Sequence, residues 1–373
     1  MSEWKEYKLG EIADVQTGPF GSQLHQSDYV SVGVPSIMPL NIGNRMDIST
    51  DKIAYITEED ATRLARYRVK EGDIVYSRRG DVEKCAYIKE KESGWLCGTG
   101  CLRIRIGSKK ADSKFVAYYL STDEMKIWIS NNAVGTTMPN LNSSILQQVP
   151  LSLPSIEEQR RIASILTSLD DKIDLLRREN ATLEAMAETL FRQWFVEEAK
   201  EDWEEITLAN LIDIGSGKGL QRADFIENGL YSVLGANGEI GRTNKFLVNE
   251  RDRIIYTGRV GTLGNVFRLE YTKAWLSDNT LVIRPKEYYN FVYFVLKSSR
   301  LQDFNVGSTQ PLIRQTDIKE IELALPNSDT LNAFEKECDL IYDKVGNNNK
   351  QIQTLIQTRD ELLPRLMCGE LKV

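Results

Sequence analysis

The chain is poor in the residues that most enzymes use for chemistry. Of its 373 residues only one, His25, is a histidine. Serine–histidine–acid catalysis is therefore excluded except around that residue, and no Gly-x-Ser-x-Gly nucleophile turn accompanies it. The five cysteines, at 85, 97, 101, 338 and 368, are few for the length and read as a reduced, cytoplasmic set. Cys97-Gly-Thr-Gly-Cys101 has no second Cys or His pair nearby, so it reads as structural and no metal site is expected. Long apolar runs are missing too. The longest, Phe291 to Leu296, is far short of the roughly 20 residues a membrane span needs, and the polar start MSEWKEYKLGEI is no secretory leader. Gly215-Ser-Gly217-Lys218-Gly219 fails as a phosphate loop, because Ile212 and Gly219 stand where Gly and Ser or Thr are required. Positive charge is not in surplus either: 47 Lys and Arg against 54 Asp and Glu give a net charge of −7, which counts against a nucleic-acid binder.

What is present is a repeat. Trp4-Lys-Glu-Tyr-Lys-Leu-Gly-Glu-Ile-Ala-Asp14 matches Trp203-Glu-Glu-Ile-Thr-Leu-Ala-Asn-Leu-Ile-Asp213 at an offset of 199. Asp73–Tyr76 matches Arg253–Tyr256, and Trp95-Leu96 matches Trp275-Leu276, at 180. Phe115–Leu120 matches Phe291–Leu296 at 176, and Leu151-Ser-Leu-Pro154 matches Leu323-Ala-Leu-Pro326 at 172. Preserved order with a shrinking offset indicates one duplicated unit with loops of different length, not a solenoid. Each copy begins with short β-branched and aromatic runs between Gly and Asn turns, with one helix-like stretch near its end (114–130 and 288–304). These predict two α+β domains, at 1–154 and 201–326.

The character changes after each Leu-x-Leu-Pro. Ser155-Ile-Glu-Glu158 is a capping box that opens a helix. Ile162, Leu169, Leu176, Leu183 and Leu190 then recur every seven residues, interleaved with Leu166, Ile173, Asn180, Ala187 and Trp194. The second copy repeats this with Leu331, Cys338, Val345 and Ile352 against Phe334, Ile341, Asn348, Leu355 and Leu362, and Pro364 is expected to end it. Sustained heptads predict a coiled coil, with a central spacer helix over 155–200 and a distal helix and tail over 327–373. The alternative is an amphipathic helix packed on its own domain. If the copies are related by a pseudo-twofold axis, the helices run antiparallel and Asn180 faces Asn348 near the midpoint. A buried amide pair fixes register at some cost in stability.

Two like domains on a helical spacer suit a split target on a twofold-symmetric polymer, and duplex DNA is the obvious one. Shortening the spacer by a heptad should disrupt or re-space such a target. Polar, glycine-rich loops supply donors and acceptors for phosphates and base edges. In the first copy these are Phe20, Ser22, Gln23, His25, Ser77, Arg78, Arg79, Lys84, Thr136, Thr137 and Asn140. In the second they are Lys218, Gln221, Arg222, Thr257, Arg259, Thr262, Ser308, Gln310, Arg314 and Gln315. The same loops would otherwise be ordinary solvated turns, and Arg78, Arg79, Arg222 and Arg259 are the strongest of the set.

Several motifs make the chain resemble the specificity subunit of a type I restriction–modification system. They are Thr17-Gly-Pro-Phe-Gly-Ser22, Gly72-Asp-Ile-Val-Tyr76, Gly135-Thr-Thr-Met-Pro-Asn-Leu141, Leu153-Pro-Ser-Ile-Glu-Glu-Gln-Arg-Arg-Ile162, Phe191-Arg-Gln-Trp-Phe195 and Leu362-Leu-Pro-Arg-Leu-Met-Cys-Gly-Glu-Leu371. The second copy departs at Pro326-Asn-Ser-Asp-Thr-Leu331, which lacks the Glu-Gln pair. The resemblance implies two target recognition domains, each reading one half of a split asymmetric sequence in double-stranded DNA. They would be separated by a long antiparallel two-helix coiled coil that docks two methyltransferase subunits. S-adenosylmethionine would sit on those partners, which methylate adenine N6. ATP and Mg²⁺ would serve the restriction (motor–nuclease) subunits of the full complex. No cofactor, metal or catalytic residue is expected in this chain, which is read as a non-enzymatic, cytoplasmic component with no membrane partner. Two other readings stay open on the residues: a solitary methyltransferase or nuclease with divergent motifs, and a coiled-coil scaffold that binds no DNA.

The charge is unevenly spread. Residues 1–150 carry 19 basic and 19 acidic groups, and residues 203–325 carry 15 of each. The helical segments 151–202 (7 basic, 12 acidic) and 326–373 (6 basic, 8 acidic) hold the whole acidic surplus. This predicts neutral domains that read bases, and acidic helices that meet protein.

Overall fold

The computed structural model describes residues 4–135, 139–307 and 309–373. The chain folds into two compact units, 1–174 with 352–373 and 175–351, so each unit is built from a globular part and a piece of both long helices.

In the first unit the order is β1 (Lys5–Lys8), α1 (Leu9–Ile12), β2 (Ala13–Thr17), β3 (Tyr29–Val30), β4 (Val34–Ile37), β5 (Ala54–Ile56), α2 (Glu58–Arg63), β6 (Ile74–Ser77), β7 (Cys85–Tyr87), β8 (Leu96–Cys97), β9 (Cys101–Ile106), α3 (Ser113–Leu120), α4 (Asp123–Asn132), α5 (Ser143–Gln147) and β10 (Pro150–Leu153). β1 pairs with β10 and closes the domain. One sheet runs β2-β9-β6-β7 and a second runs β3-β5-β4-β8. β6 is buried on both faces: Ile74 and Tyr76 pack with Phe115 toward the helices, and Val75 packs with Ile37 and Cys97 toward the second sheet. The helix expected over 114–130 is two helices, because Thr122 caps a fresh start at Asp123, its side chain accepting from the Met125 N–H.

After β10 comes α6 (Ile156–Arg192). Ser155 caps it, its Oγ accepting from the Glu158 N–H at 3.3 Å. Gln159 ties its first turn to the domain: fully buried, its side chain donates to the Lys110 and Pro154 carbonyls and accepts from the Asp112 N–H. The α-helix ends at Arg192 and passes into a π-helical turn, Gln193–Glu197, short of residue 200.

The second globular part follows a shortened version of this order with β11 (Glu204–Thr207), β12 (Ile212–Ser216), β13 (Tyr231–Gly235), β14 (Gly238–Thr243), β15 (Arg253–Gly258), β16 (Val266–Glu270), β17 (Ala274–Leu276), β18 (Thr280–Pro285), α7 (Tyr289–Ser298), α8 (Gln315–Lys319) and β19 (Glu322–Leu325), and the second long helix, α9 (Ser328–Met367), comes after it. β11 closes on β19, and the sheets run β12-β18-β15-β16 and β14-β13-β17. The helix expected to reach Phe304 stops at Ser298, where Arg300 takes a positive φ of 46° and a short 3₁₀ turn follows.

Strand pairing corrects the repeat by one residue. Ser77 pairs with Cys101 and Gly258 with Thr280, each at the end of the same central strand, so β6 maps to β15 at an offset of 181 rather than 180. Ile255, not Ile254, then takes the place of Ile74 beneath the helices, while Ile254 and Tyr256 face the other sheet. Likewise Gly98 donates to the Ile37 carbonyl as Ser277 does to that of Leu234, so Leu276 stands where Cys97 does, at 179.

The helix pieces pair antiparallel inside each unit. In the second, Phe191 packs on Phe334 with rings 6.1 Å apart, while Asn180 meets Asn348, so one number rises as the other falls. Asn348 Nδ2 donates to Asn180 Oδ1 at 2.9 Å, and Asn180 Nδ2 donates to Asn349 Oδ1 at 2.9 Å. In the first, Asp170 accepts from Arg359 and from the Tyr118 hydroxyl, at 2.8 and 2.6 Å, and Leu366 and Met367 join the core with Ile162 and Leu166. Pro364 does not end α9: the helix runs on to Met367, and the Cys368 N–H donates to the Pro364 carbonyl. Burial of Leu366 and Met367 in the last turn holds that geometry against the missing donor.

Candidate nucleic-acid interface

At one end of each β-core, four loops are tied together by backbone hydrogen bonds, and the same five bonds recur in both units. In the first unit the Gly18 N–H donates to the Cys101 carbonyl, Arg78 to Gly100, Gly80 to Pro139, Leu141 to Arg78 and Val134 to Asn140. In the second, Gly217 donates to Thr280, Arg259 to Asn279, Gly261 to Pro311, Ile313 to Arg259 and Val306 to Leu312. Gly18 and Gly217 sit where a Cβ would run into the backbone carbonyls of Gly98 and Ser277, so only glycine lets the loop approach. Gly80 and Gly261 hold positive φ values of 74° and 85°, and nothing crowds them.

Not every expected residue reaches this surface. Phe20, Arg78, Arg79 and Asn140 do: the Arg78 guanidinium lies over the exposed Phe20 ring at 5.3 Å, and Arg79 bridges to Asn140. The Asn140 Oδ1 is buried without a partner. Ser22 and His25 are exposed further along the Phe20 loop, where the His25 N–H donates to Asp28. Gln23 is committed inside the unit, its Oε1 accepting from the Tyr67 hydroxyl at 2.7 Å and its carbonyl from Arg63. Ser77 is buried at 1% exposure and its hydroxyl donates to the Arg79 carbonyl, so it supports the loop from beneath rather than projecting from it. Lys84 pairs with Asp81 at 2.7 Å and lines a separate cleft with Arg45, Tyr118, Lys126, Asp170 and Arg359. Thr136, Thr137 and, in the second unit, Ser308 lie outside the described residues.

In the second unit Lys218, Gln221 and Arg222 are exposed together on one loop, anchored where the Trp275 indole donates to the Lys218 carbonyl. Arg259, Thr262 and Gln310 flank the shared hydrogen bonds. Thr257 is fully buried in β15 and its hydroxyl has no partner, which takes it out of the surface. Arg314 is spent on Asp317 at 2.7 Å, which holds that carboxyl below its ordinary range, and Gln315 donates inward to Ser216. Sequence reasoning missed Asn237, whose amide donates to Thr262 at 3.0 Å and whose Oδ1 accepts from Asn265. The Asn237-Gly238 hairpin turn was the available signal.

Charge at these loops is open. Among the described residues, no carboxylate pairs with Arg78, Arg79 or Arg259. Arg78 Nε is buried without a partner, and desolvation, then the neighbouring Arg79 charge, lowers its guanidinium pKa from the ordinary value. Among the described residues no group of three or more His, Cys, Asp or Glu could hold a metal ion, and no helix is long and apolar enough to cross a membrane.

The family described as "Type I restriction modification DNA specificity domain" matches residues 1–185 and 200–357, once per repeat. The chain belongs to the type I restriction–modification specificity family. It is 25% identical to the MjaIX specificity subunit of Methanocaldococcus jannaschii, over all of this chain and 94% of that one. It is 22% identical to the HindI specificity subunit of Haemophilus influenzae, over the full length of both. The crystal structure of a type I system S subunit from M. genitalium shares the fold, with a TM-score of 0.63 at 19% identity over 98% of this chain and 96% of that one. A specificity subunit is the non-catalytic member of its complex, and catalysis lies in its partners. Such subunits work with modification and restriction subunits on DNA.

Proposed function

We propose that this cytoplasmic chain reads a bipartite, asymmetric DNA target, one part through the loop cluster of each unit. Residues 1–154 and 201–326 are the two recognition domains. The helical segments, 155–200 and 327–373, dock two methyltransferase subunits and through them the restriction subunits. The observation that carries this is the fivefold backbone hydrogen-bond set found in both units. Two loop clusters with one scaffold and different side chains suit two different sequences read in one way. The acidic surplus of the helical segments favours a protein partner there, since phosphate would be repelled.

The test is to assemble the full chain with its modification subunits, add S-adenosylmethionine and a library of randomised duplexes, and sequence the methylated products. A split motif containing a methylated adenine is the expected result. Methylation spread without regard to sequence would count against this function, and methylation by the chain alone would make it an enzyme.

A further inference from the structure

Arg78 and Arg259 hold one position in the two units. Each is the first residue beyond the central strand, after Ser77 and Gly258. In each, the N–H is bound by a carbonyl of one neighbouring loop, Gly100 or Asn279, and the carbonyl accepts from the other, through Leu141 or Ile313. The backbone is thus clamped from two sides before any ligand arrives, which lowers the ordering cost of a contact made by the side chain. The next residue does not share this likeness: Arg79 corresponds to Val260 at the same offset. The cation common to both loop clusters at this place is therefore Arg78 in one and Arg259 in the other.

Among the described residues neither guanidinium pairs with a carboxylate, whereas Lys84 and Arg314 are neutralised by Asp81 and Asp317. Arg78 has its guanidinium carbon 5.3 Å from the centre of the exposed Phe20 ring, a cation–π contact that helps to hold the side chain at the loop surface. Its Nε is already stripped of water without a replacement. A dehydrated donor gains more from an acceptor pair than a hydrated one. The planar fork matches the O6 and N7 of guanine, whereas a lone phosphate oxygen would be met as well by a lysine.

We propose that Arg78 and Arg259 are equivalent base-reading residues, each contacting a guanine in its own part of the target, and that Arg79 contacts a phosphate. This rests on the DNA-reading function above. Phe20 has no counterpart in the second unit, where Gly219 stands at offset 199, so the first unit's contact has an aromatic support that the second lacks.

The experiment uses the full chain assembled with its modification subunits and a randomised duplex library, with base preference read position by position. R78A and R78K should each lose about ten- to hundredfold preference at one G·C pair in one part of the motif. The other part should be untouched, and R259A and R259K should show the mirror result. R79A should weaken binding to all sequences alike and reduce the salt slope by about one. The lysine variants keep the charge and serve where an alanine variant fails to assemble. Uniform loss across sequences in the Arg78 or Arg259 variants, or an unchanged profile, overturns the assignment. A wild-type complex with no sequence preference overturns the DNA-reading function itself, so the two failures are told apart.

Discussion

Gly18 and Gly217 show how much of each loop cluster is set by a missing side chain. An alanine at either position meets a backbone carbonyl, not a movable side-chain end, so the loop has to withdraw. G18A and G217A are each expected to cost about 1–3 kcal/mol in chemical denaturation and to weaken DNA binding of the assembled complex. A stability within error of wild type would show that the loop yields freely. The cysteines carry a second expectation. Burial pushes the Cys85 thiol up to about 11 and those of Cys97 and Cys338 to about 12, so none is ionised near neutrality. Cys101 is buried as well, and Cys368 is the exposed one. A thiol reagent should therefore label one site per native chain, at Cys368. Labelling at two or more sites without denaturant would contradict this burial. Ser77 and Thr257 show what residue type conceals: a hydroxyl at a strand end reads as a surface donor, and only the tertiary packing reveals it as buried.

Among the elements, the central strands were harder to read than the helices. Asp73-Ile-Val-Tyr76 and Arg253-Ile-Ile-Tyr256 align by identity, but both strands are buried on both faces. Without an alternation of polar and apolar residues, nothing in the chain distinguishes one register from the next, and a slip by one exchanges the faces. Hydrogen-bond pairing settles it. The helices have no such ambiguity, because a seven-residue repeat states which face is inward, and the pseudo-twofold relation of the two copies then gives the pairing direction and the asparagine layer. Asn348 is fully buried and its Oδ1 has no partner, so this layer is held at a cost. N348L alone strands the Asn180 amide oxygen and should cost about 1–3 kcal/mol. The N180L/N348L double variant should regain that loss or exceed wild-type stability while admitting other helix pairings. The check is a double-mutant cycle in denaturant with light scattering for self-association. A double variant as unstable as the single one would show that the amides do more than set register.

For the whole molecule, net charge is informative only once it is divided. A chain at −7 looks ill suited to DNA, yet both globular parts carry equal numbers of positive and negative groups and the deficit lies in the helical segments. Affinity for duplex DNA grows with the number of phosphates neutralised, and each released counterion steepens the dependence on salt. A neutral recognition domain with a few unpaired arginines at its loops offers few such contacts. The chain alone should bind DNA weakly, with a slope of log affinity against log salt equivalent to about two or three phosphates. Modification subunits docked on the acidic helices would supply further positive charge, so the assembled complex should show a clearly steeper slope on the same duplex. Titration of both species across a salt series measures this directly. Equal slopes would mean that this chain makes all of the phosphate contacts, and the division between base-reading domains and protein-binding helices would fail. The steeper slope would place affinity in the partners and leave sequence preference to the loops around Arg78 and Arg259, where the two can be separated by mutation.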